Sequence, residues 1–456
     1  MINLIKNELF KIFKKKGIWI ILIILFMYTL FINFINKKVD IENSNYHDNY
    51  IEILKEDLKN IDIEKDVYLY VDLLNQIENY EFLNTYDKNS WQYYIVDNEA
   101  YDYISTINTI KYIDKDTKKL EQANNEFDSF KEKLNGNWQD YAMEDMKHLE
   151  EFPDYKEMNE YKELELRIKY NIPYGKNKLN EALTNYVMSY NNIQKVQTKR
   201  MTYEEKINHE TNEKLYYTSK YIIEHNYNEV KDISARGMLL NIFTNCDLFI
   251  IIAICLIASS IISEEFNKGT IKMLLTRPYT RTKILLSKFI TMILFILFMI
   301  FATYFIQFIV GLIFFGPKSL NCGVIVYNYV THTVKEISLF KNIIITILVR
   351  LPMYIILGTF AFCFTTFVNN TGVSMAISIA FYIASDIINS AVYYFNIKWL
   401  KYFVTLNWNL SDYLYNKTPI LKGTSLNFSI LICFIYFTLM IIPTFIYFKR
   451  KNIKNI

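Results

Sequence analysis

A short charged segment between two long apolar runs carries the most distinctive chemistry of this sequence. The segment, residues 263–283, follows the apolar run 248–262 and precedes the run 284–315. It opens with Glu264–Glu265 and continues with lysines and arginines, a pattern that serves ion pairing with another surface. A polar insert this short and basic is typical of a cytoplasmic loop between two membrane helices. Its sequence is more specific than a turn requires, so we interpret it as a docking element.

The residue types that carry out catalysis occur without a catalytic arrangement. A phosphate-binding loop needs the pattern G-x-x-x-x-G-K-[ST]. The nearest candidate, Gly175–Lys176, has Tyr170 in place of the first glycine and Asn177 in place of the hydroxyl residue. The five histidines lack metal-ligand spacing, and the five cysteines lie in or near apolar runs. We therefore predict that the chain is not an enzyme, lacks its own ATPase motif, and holds no metal or cofactor.

Polar residues inside the apolar runs are functional candidates, because charges within a membrane are costly and rarely incidental. Arg350 and Asp386 fall on consecutive apolar runs at depths of about 12 and about 15 Å, from a rise of 1.5 Å per residue. We predict an ion pair between them. Gln307 falls at a similar level, and Asn389 lies one turn nearer the outside than Asp386. This intramembrane polar belt lines a substrate path or only fastens the helices together, and the sequence leaves both interpretations open.

Six apolar stretches are long enough to cross a membrane, which takes about 20 largely apolar residues in a helix. Helices are expected because every backbone amide in lipid must be satisfied internally. The predicted spans are residues 18–35, 246–263, 284–315, 343–368, 373–395 and 428–448.

Charge divides the chain into an acidic polar part and a basic apolar part. Residues 37–240 contain 27 Lys+Arg against 40 Asp+Glu, which leaves 23 basic and 7 acidic residues elsewhere. The excess cations flank apolar stretches, which favours a lipid membrane over nucleic acid as a partner. We predict three parts: residues 1–36 with an N-terminal interfacial helix and the first span, an extracellular helical domain at 37–240, and a membrane domain at 241–456 with the loop 263–288.

The placement of basic residues predicts the orientation. They concentrate before the first span, between the second and third spans, and after the sixth. With six spans these regions share one side, and positive residues stay in the cytoplasm. We expect a multi-pass protein of the bacterial cytoplasmic membrane with both termini inside. The first span lacks a small-residue cleavage site, so we expect an uncleaved anchor.

The polar part, residues 37–240, is large enough for a domain of its own. It holds only three glycines and two prolines, which disfavours an all-β fold. Apolar residues at helical spacing predict amphipathic helices, with breaks near Gly136, Pro153 and Pro173. We favour aromatic packing as the role of its many tyrosines over a carbohydrate- or peptide-binding face. The predicted fold is an all-α integral membrane protein with six transmembrane helices and a large helical extracellular domain between the first two.

The first residues also show helical amphipathicity. Ile5, Leu9, Ile12 and Phe13 fall on one face, with lysines elsewhere. This pattern favours a helix lying in the inner membrane interface. The alternative is a basic flank that only sets the topology.

The order of these elements and the motifs of the charged segment resemble a known family. The resemblance lies in the basic amphipathic start Leu4–Lys11, a first span, a large insert, and then Glu264–Glu265, Gly269–Lys272 and Arg277–Arg281. Together they resemble the permease subunits of ABC type-2 exporters. The resemblance covers both ends and the membrane half of the chain, and leaves out residues 37–240.

The resemblance implies a permease (transmembrane) subunit that moves a substrate outward with ATP hydrolysed elsewhere. A separate ATPase subunit would bind ATP and Mg and would receive the charged segment as a coupling helix. A second permease copy or a paralogue would complete a dimer, and the cargo would be a peptide, an antibiotic or a lipid-like molecule. The coupling candidates carried over are Glu264, Glu265, Gly269, Thr270, Arg277, Pro278 and Arg281. Each of them has the alternative role of setting topology or capping a helix.

A second class of protein fits part of the same pattern. A multi-span membrane sensor or receptor with an external helical domain would need no transport activity. One spanning anchor would suffice for such a protein. Six spans and an intramembrane polar belt therefore favour the permease.

Overall fold

The computed structural model describes residues 1–195, 201–227, 233–270, 279–395, 398–419 and 422–451 of the 456-residue chain. Contacts divide the chain into two units. The first unit contains Met1–Lys37, Val230–Thr331 and Lys335–Ile456. The second unit contains Lys38–Glu229 and His332–Val334.

Helices make up most of the described residues. In chain order they are α1 (Ile2–Phe13), α2 (Lys16–Lys59), α3 (Val67–Leu83), α4 (Trp91–Thr109), α5 (Thr117–Leu134), α6 (Trp138–Leu149), α7 (Asn159–Lys169), α8 (Lys178–Gln194), α9 (Tyr203–Glu224), α10 (Ala235–Leu240), α11 (Ile242–Asn267), α12 (Arg281–Phe315), α13 (Leu339–Val368), α14 (Thr371–Phe395) and α15 (Leu426–Arg450).

The prediction of six membrane-spanning helices is confirmed in length and composition. Within the described part of the chain, six helical stretches are long and apolar enough to cross a membrane, and each contains most or all of one predicted span. The helices extend past the apolar runs because polar flanking residues continue the backbone hydrogen bonding. The stretches are Lys16–Val39, Ile242–Asn267, Arg281–Phe315, Leu339–Val368, Thr371–Ala391 and Leu426–Arg450.

A small sheet departs from the all-helical prediction. Strands β1 (Val324–Asn328) and β2 (Thr333–Ile337) pair as a two-stranded sheet between α12 and α13. β1 begins with the run Val-Ile-Val-Tyr, and β-branched and aromatic residues favour an extended backbone.

The helix α11 lies at the centre of the first unit. In its most apolar stretch 78% of the residues are buried, against 17% in α14 and in α15. Helices α12 and α13 pack closely on α11 at Gly358, where an added Cβ would lie 3.2 Å from Ile254 and 3.2 Å from Ile296. A glycine at this position therefore allows three helices to approach one another.

The second unit is a helical assembly with an aromatic core. Its helices break where the sequence predicts, between α5 and α6 near Gly136, after α6 near Pro153, and between α7 and α8 near Pro173. Aromatic rings pack against one another, as Tyr103 does on Phe130 with centroids 4.8 Å apart. These contacts support packing as the role of the tyrosines.

We expect Gly358→Leu to lower the free energy of unfolding of the first unit by about 1–3 kcal/mol, the usual cost of overpacking a core. Reaction of a thiol-specific dye with the buried Cys246 and Cys255 during heating reports this unfolding. Gly17→Leu is the matched control, because nothing lies within 4 Å of a Cβ at Gly17. Equal melting temperatures for the two variants would contradict the close approach at Gly358.

Candidate functional site

Four charged side chains meet in the first unit beside the segment that joins α11 to α12. Glu8 and Lys11 come from α1, Glu265 from the last turn of α11, and Lys288 from the second turn of α12. We call these four residues the charge cluster. Its formal charges sum to zero. It brings together residues that are far apart in the sequence and that lie on three helices.

Lys288 is the centre of the charge cluster. Its side chain is only 2% exposed, so its ammonium group has lost almost all contact with solvent. The Nζ atom lies 2.8 Å from Glu8 Oε2, 2.8 Å from Glu265 Oε1, and donates to the carbonyl of Ile261 at 3.0 Å. An ammonium group has three N–H donors. Two of these donors bind Glu8 and the Ile261 carbonyl, and the charge of Glu265 lies close by, which together offset the large cost of burying the charge.

Lys11 closes the charge cluster on its more exposed side. Its Nζ atom donates to Glu8 Oε1 at 2.7 Å and to Glu265 Oε1 at 2.8 Å. Each carboxylate is thus shared by both lysines. Among the described residues, Glu265 Oε2 is buried and has no hydrogen-bond partner.

The two α1 residues of the charge cluster have shifted pKa values. Burial by itself raises the pKa of Glu8, but Lys288 and Lys11 outweigh it, so the pKa lies below its ordinary value. Burial by itself lowers the pKa of Lys11, but Glu265 and Glu8 outweigh it, so the pKa lies above its ordinary value. A lowered carboxyl pKa adds stability that is lost in acid, and a raised lysine pKa adds stability that is lost in strong base. The cluster therefore contributes stability at neutral pH.

A second ion pair lies beside the charge cluster. Lys15 donates to Glu264 Oε1 at 2.6 Å and to Ser260 Oγ at 2.7 Å. Lys268 lies 3.3 Å from Glu264 Oε2. The residues that follow α1 are therefore also attached to the last turns of α11.

Within the protein, α1 buries Leu4, Glu8 and Ile12. The apolar face predicted to lie in the membrane interface, with Ile5, Leu9, Ile12 and Phe13, shares only Ile12 with these residues. Glu8 on the buried side reaches Lys288. The exposed side of α1 carries apolar residues as well, including Ile2 and Phe10.

The coupling candidates take different positions. Glu264 and Glu265 form the internal ion pairs described above. Gly269 has a positive φ of +64°, which favours glycine, and ends α11 with open space around it. Thr270 Oγ1 lies 3.4 Å from the Glu265 carbonyl.

The other coupling candidates lie toward α12. Arg281 donates to the carbonyls of Lys449 at 3.2 Å and Lys451 at 2.7 Å, so it caps the end of α15. This contact corresponds to the capping role that the sequence left open for it. Arg277 and Pro278 lie outside the described residues.

The predicted ion pair between Arg350 and Asp386 is wrong. Arg350 Nη1 instead pairs with Asp247 Oδ2 on α11, at 3.4 Å. Asp247 also accepts hydrogen bonds from the hydroxyls of Tyr354 and Tyr382, the latter at 3.1 Å. Equal depth placed Arg350 and Asp386 at one level, but α11 is the neighbour that Arg350 faces. Asp386 is exposed on the surface of α14.

The rest of the predicted polar belt separates into independent pairs. Gln307 and Asn33 are both buried and exchange two amide hydrogen bonds, of 3.1 and 3.3 Å. Asn389 accepts from Thr405 Oγ1 at 3.2 Å. Arg350, Gln307 and Asn389 therefore have different partners, and these contacts fasten helices to one another.

Several site residues were missed by the sequence reasoning. Asp247 stands at the start of an apolar run, and Glu8 is the one acidic residue among the lysines of the first 16 positions. Lys288 was counted as a loop residue, although it lies inside an apolar run. An isolated charge within a hydrophobic pattern was the available signal, because such a charge needs a partner. Among the described residues, no group of three or more histidine, cysteine, aspartate or glutamate side chains is placed to hold a metal ion.

Comparison with known proteins places the chain in a family. The chain belongs to the family described as "Protein of unknown function (DUF2705)", whose profile matches residues 203–454. "Uncharacterized protein YhcI" of Bacillus subtilis (strain 168) is 30% identical over 244 residues, which cover 52% of this chain and 74% of the relative. "Uncharacterized membrane protein YdbK" of the same organism is 25% identical over 198 residues, covering 43% and 75%. No solved structure matches the chain.

Both the fold and one of the relatives indicate a membrane protein. The described residues contain six apolar helices of spanning length, and one relative is described as a membrane protein. The chain is a multi-pass membrane protein.

The charge cluster can be tested with a double-mutant cycle. We expect Lys288→Met or Glu8→Gln alone to lower the free energy of unfolding by about 3 kcal/mol, because each leaves a buried charge uncompensated. The double variant keeps the Lys11–Glu265 pair and leaves no charge unpaired. Its loss in free energy of unfolding, measured by thiol-dye melting, should therefore be clearly smaller than the sum of the losses in the two single variants. Additive losses would contradict a shared cluster.

The ion pair between Arg350 and Asp247 can be tested by comparing substitutions of two carboxylates. We expect Asp247→Asn to lower the free energy of unfolding by about 2 kcal/mol, because hydrogen bonds to a charged group are lost or weakened. Asp386→Asn is the control and should lower it by less, since Arg350 pairs with Asp247 and not with Asp386. The melting temperatures of the two variants, measured in the same detergent, give this comparison. A larger effect at Asp386 would contradict the observed pairing.

Proposed function

We propose that the chain is the membrane-spanning permease subunit of an ATP-driven exporter of the ABC type-2 class. ATP and Mg would be bound by a separate ATPase subunit. The observation that carries the proposal is the charge cluster at the base of the segment between α11 and α12. It joins Glu265, just before the segment, to Lys288, just after it, and joins both to α1.

This arrangement suits the transmission of motion from another protein. A permease that switches by rigid-body movement needs a stiff connection between the docking segment and its spans. A force applied to residues 263–283 would reach α1, α11 and α12 together, because breaking the charge cluster would expose or unpair Lys288. Since α11 is the central helix of the first unit, its displacement would affect every helix packed on it.

The coupling candidates divide into two proposed roles. Glu264, Glu265 and Arg281 are held by intramolecular contacts and would position the segment. Gly269 and Thr270 are exposed at the end of α11 and would face the ATPase subunit. Arg277 and Pro278, outside the described residues, keep the coupling role that the resemblance implies.

The proposed topology follows the basic residues. The residues around α1, the segment between α11 and α12, and the end of α15 would lie in the cytoplasm. Residues 37–240 would then be extracellular. A second copy or a paralogue would complete the export path, with a peptide, an antibiotic or a lipid-like molecule as cargo.

Site-specific photo-crosslinking in the native host tests the proposal. A photoreactive residue at the exposed Tyr279 should trap an ATP-binding-cassette polypeptide, identified by mass spectrometry. The same residue at Val330, which is 68% exposed beyond the far end of α12, is the control and should not trap it. Crosslinking at Val330 alone, or capture of a signalling protein at Tyr279, would overturn the permease proposal in favour of a receptor.

The orientation of the chain in the membrane can be measured in the same cells. Cysteines placed at Tyr279 and Val330 differ in their predicted access to a membrane-impermeant maleimide, after Cys322 is replaced by serine. Only the cysteine at Val330 should be labelled from outside. Labelling at Tyr279 would place the segment on the wrong side for an ATPase.

A further inference from the structure

One residue of the predicted polar belt, Asp386 on α14, fastens no helix to another. Its side chain is exposed, and among the described residues its carboxylate has no hydrogen bond or ion pair. The hydroxyl of Ser390, one turn further along, donates to the backbone carbonyl of Asp386 at 2.8 Å and not to the carboxylate. The contacts between helices therefore give this charge no role.

Asp386 lies inside the spanning stretch of α14 and not at its end. Within Thr371–Ala391 it is fifteen residues from one end and five from the other, about 22 and about 8 Å at 1.5 Å per residue. An aspartate side chain is too short to reach the water layer from this depth, as a lysine or arginine side chain does. A charge inside a membrane is costly unless it faces a partner or a water-filled cavity. The exposed carboxylate therefore marks a part of α14 that does not face lipid.

The rest of this side of α14 is apolar. The hydroxyl residues Ser378 and Ser385 are buried on the opposite side of the helix. Ile383, which is 53% exposed, lies one turn before Asp386, and Ile387, which is 69% exposed, follows it directly. The exposed side of α14 thus combines one negative charge with an apolar surface.

The spans contain no spare cation for Asp386. In the described residues of the six spanning stretches, Lys288 and Arg350 are the basic residues that lie more than five positions from an end. Both are paired, Lys288 with the carboxylates of the charge cluster and Arg350 with Asp247. A second copy of the chain would bring the same two cations with the same partners. A counter-charge for Asp386 therefore has to come from a different molecule.

We propose that Asp386 binds the positive charge of a cationic amphiphile, whose apolar part lies against Ile383 and Ile387. This proposal rests on the proposed export function and names the class of cargo. The exposed side of α14 would line the path between two copies of the chain. A two-fold axis along that path would bring both Asp386 carboxylates to it. Their mutual repulsion would be relieved by a bound cation.

Binding of tetraphenylphosphonium, an apolar cation, tests the proposal. The full-length protein is placed in phosphatidylcholine nanodiscs, and binding of the radiolabelled cation is measured above that of empty discs. The wild type should bind it saturably. Asp386→Asn should weaken binding about tenfold or more, since a contact with a charged group is lost. Asp386→Glu keeps the charge and should keep most of the affinity.

Matched ligands and variants separate charge from apolar contact. Tetraphenylborate has the same shape and the opposite charge, and it should not compete with tetraphenylphosphonium. Tetramethylammonium has the charge without the apolar part and should compete only weakly. Asp102→Asn removes an exposed carboxylate from α4 in the second unit and should bind as the wild type does. Asp386→Ser removes the same charge and replaces Asp386→Asn if that variant does not fold.

Three results would overturn the proposal. They are the absence of saturable binding to the wild type, unchanged affinity when Asp386 loses its charge, and equal competition by tetraphenylborate. If Asp386→Asn separates two copies of the chain but leaves binding unchanged, the carboxylate serves contact between copies and the proposal is also overturned.

The binding measurement needs no ATPase subunit, so it is independent of the crosslinking experiment at Tyr279. Failed binding together with the expected crosslink would overturn the class of cargo alone. Binding through Asp386 without that crosslink would support the cation site and would overturn export.

Discussion

The first unit depends on the burial of the Lys288 ammonium group within a helix bundle. A buried lysine is tolerated only when its charge is paired and its donors find acceptors. Glu8, Glu265 and the Ile261 carbonyl meet this requirement from α1 and α11. The N-terminal helix is therefore part of the bundle, because its departure would leave a buried cation without one of its two counter-ions.

The same constraint explains the other polar contacts of this unit. Asp247 is matched by Arg350 and two tyrosine hydroxyls, and Gln307 is matched by Asn33. Each pair links helices that are distant in the sequence. Apolar packing alone leaves the rotation of a helix weakly determined, whereas such pairs permit only one arrangement. Such links between helices suit the rigid-body movement that the proposed transport mechanism requires.

In the second unit aromatic packing forms much of the core, and the buried Arg167 pairs there with Glu163 at 3.2 Å. Tyrosines there stack on one another and on phenylalanine and tryptophan rings. Buried charge is thus paired in both units, by Lys288 with Glu8 in the first and by Arg167 with Glu163 in the second.

Local pattern determined the six apolar helices, the helix breaks near Gly136, Pro153 and Pro173, and the depth of each polar residue along its helix. Hydropathy and a fixed rise per residue contain that information. The partners of Arg350, Glu265 and Lys288 were decided only by the tertiary structure, as was the buried face of α1. A residue's depth is a property of its own helix, but the direction it faces depends on how neighbouring helices rotate and pack. For this reason Arg350 pairs with Asp247 on α11 and not with Asp386 on α14, the partner that depth alone had indicated.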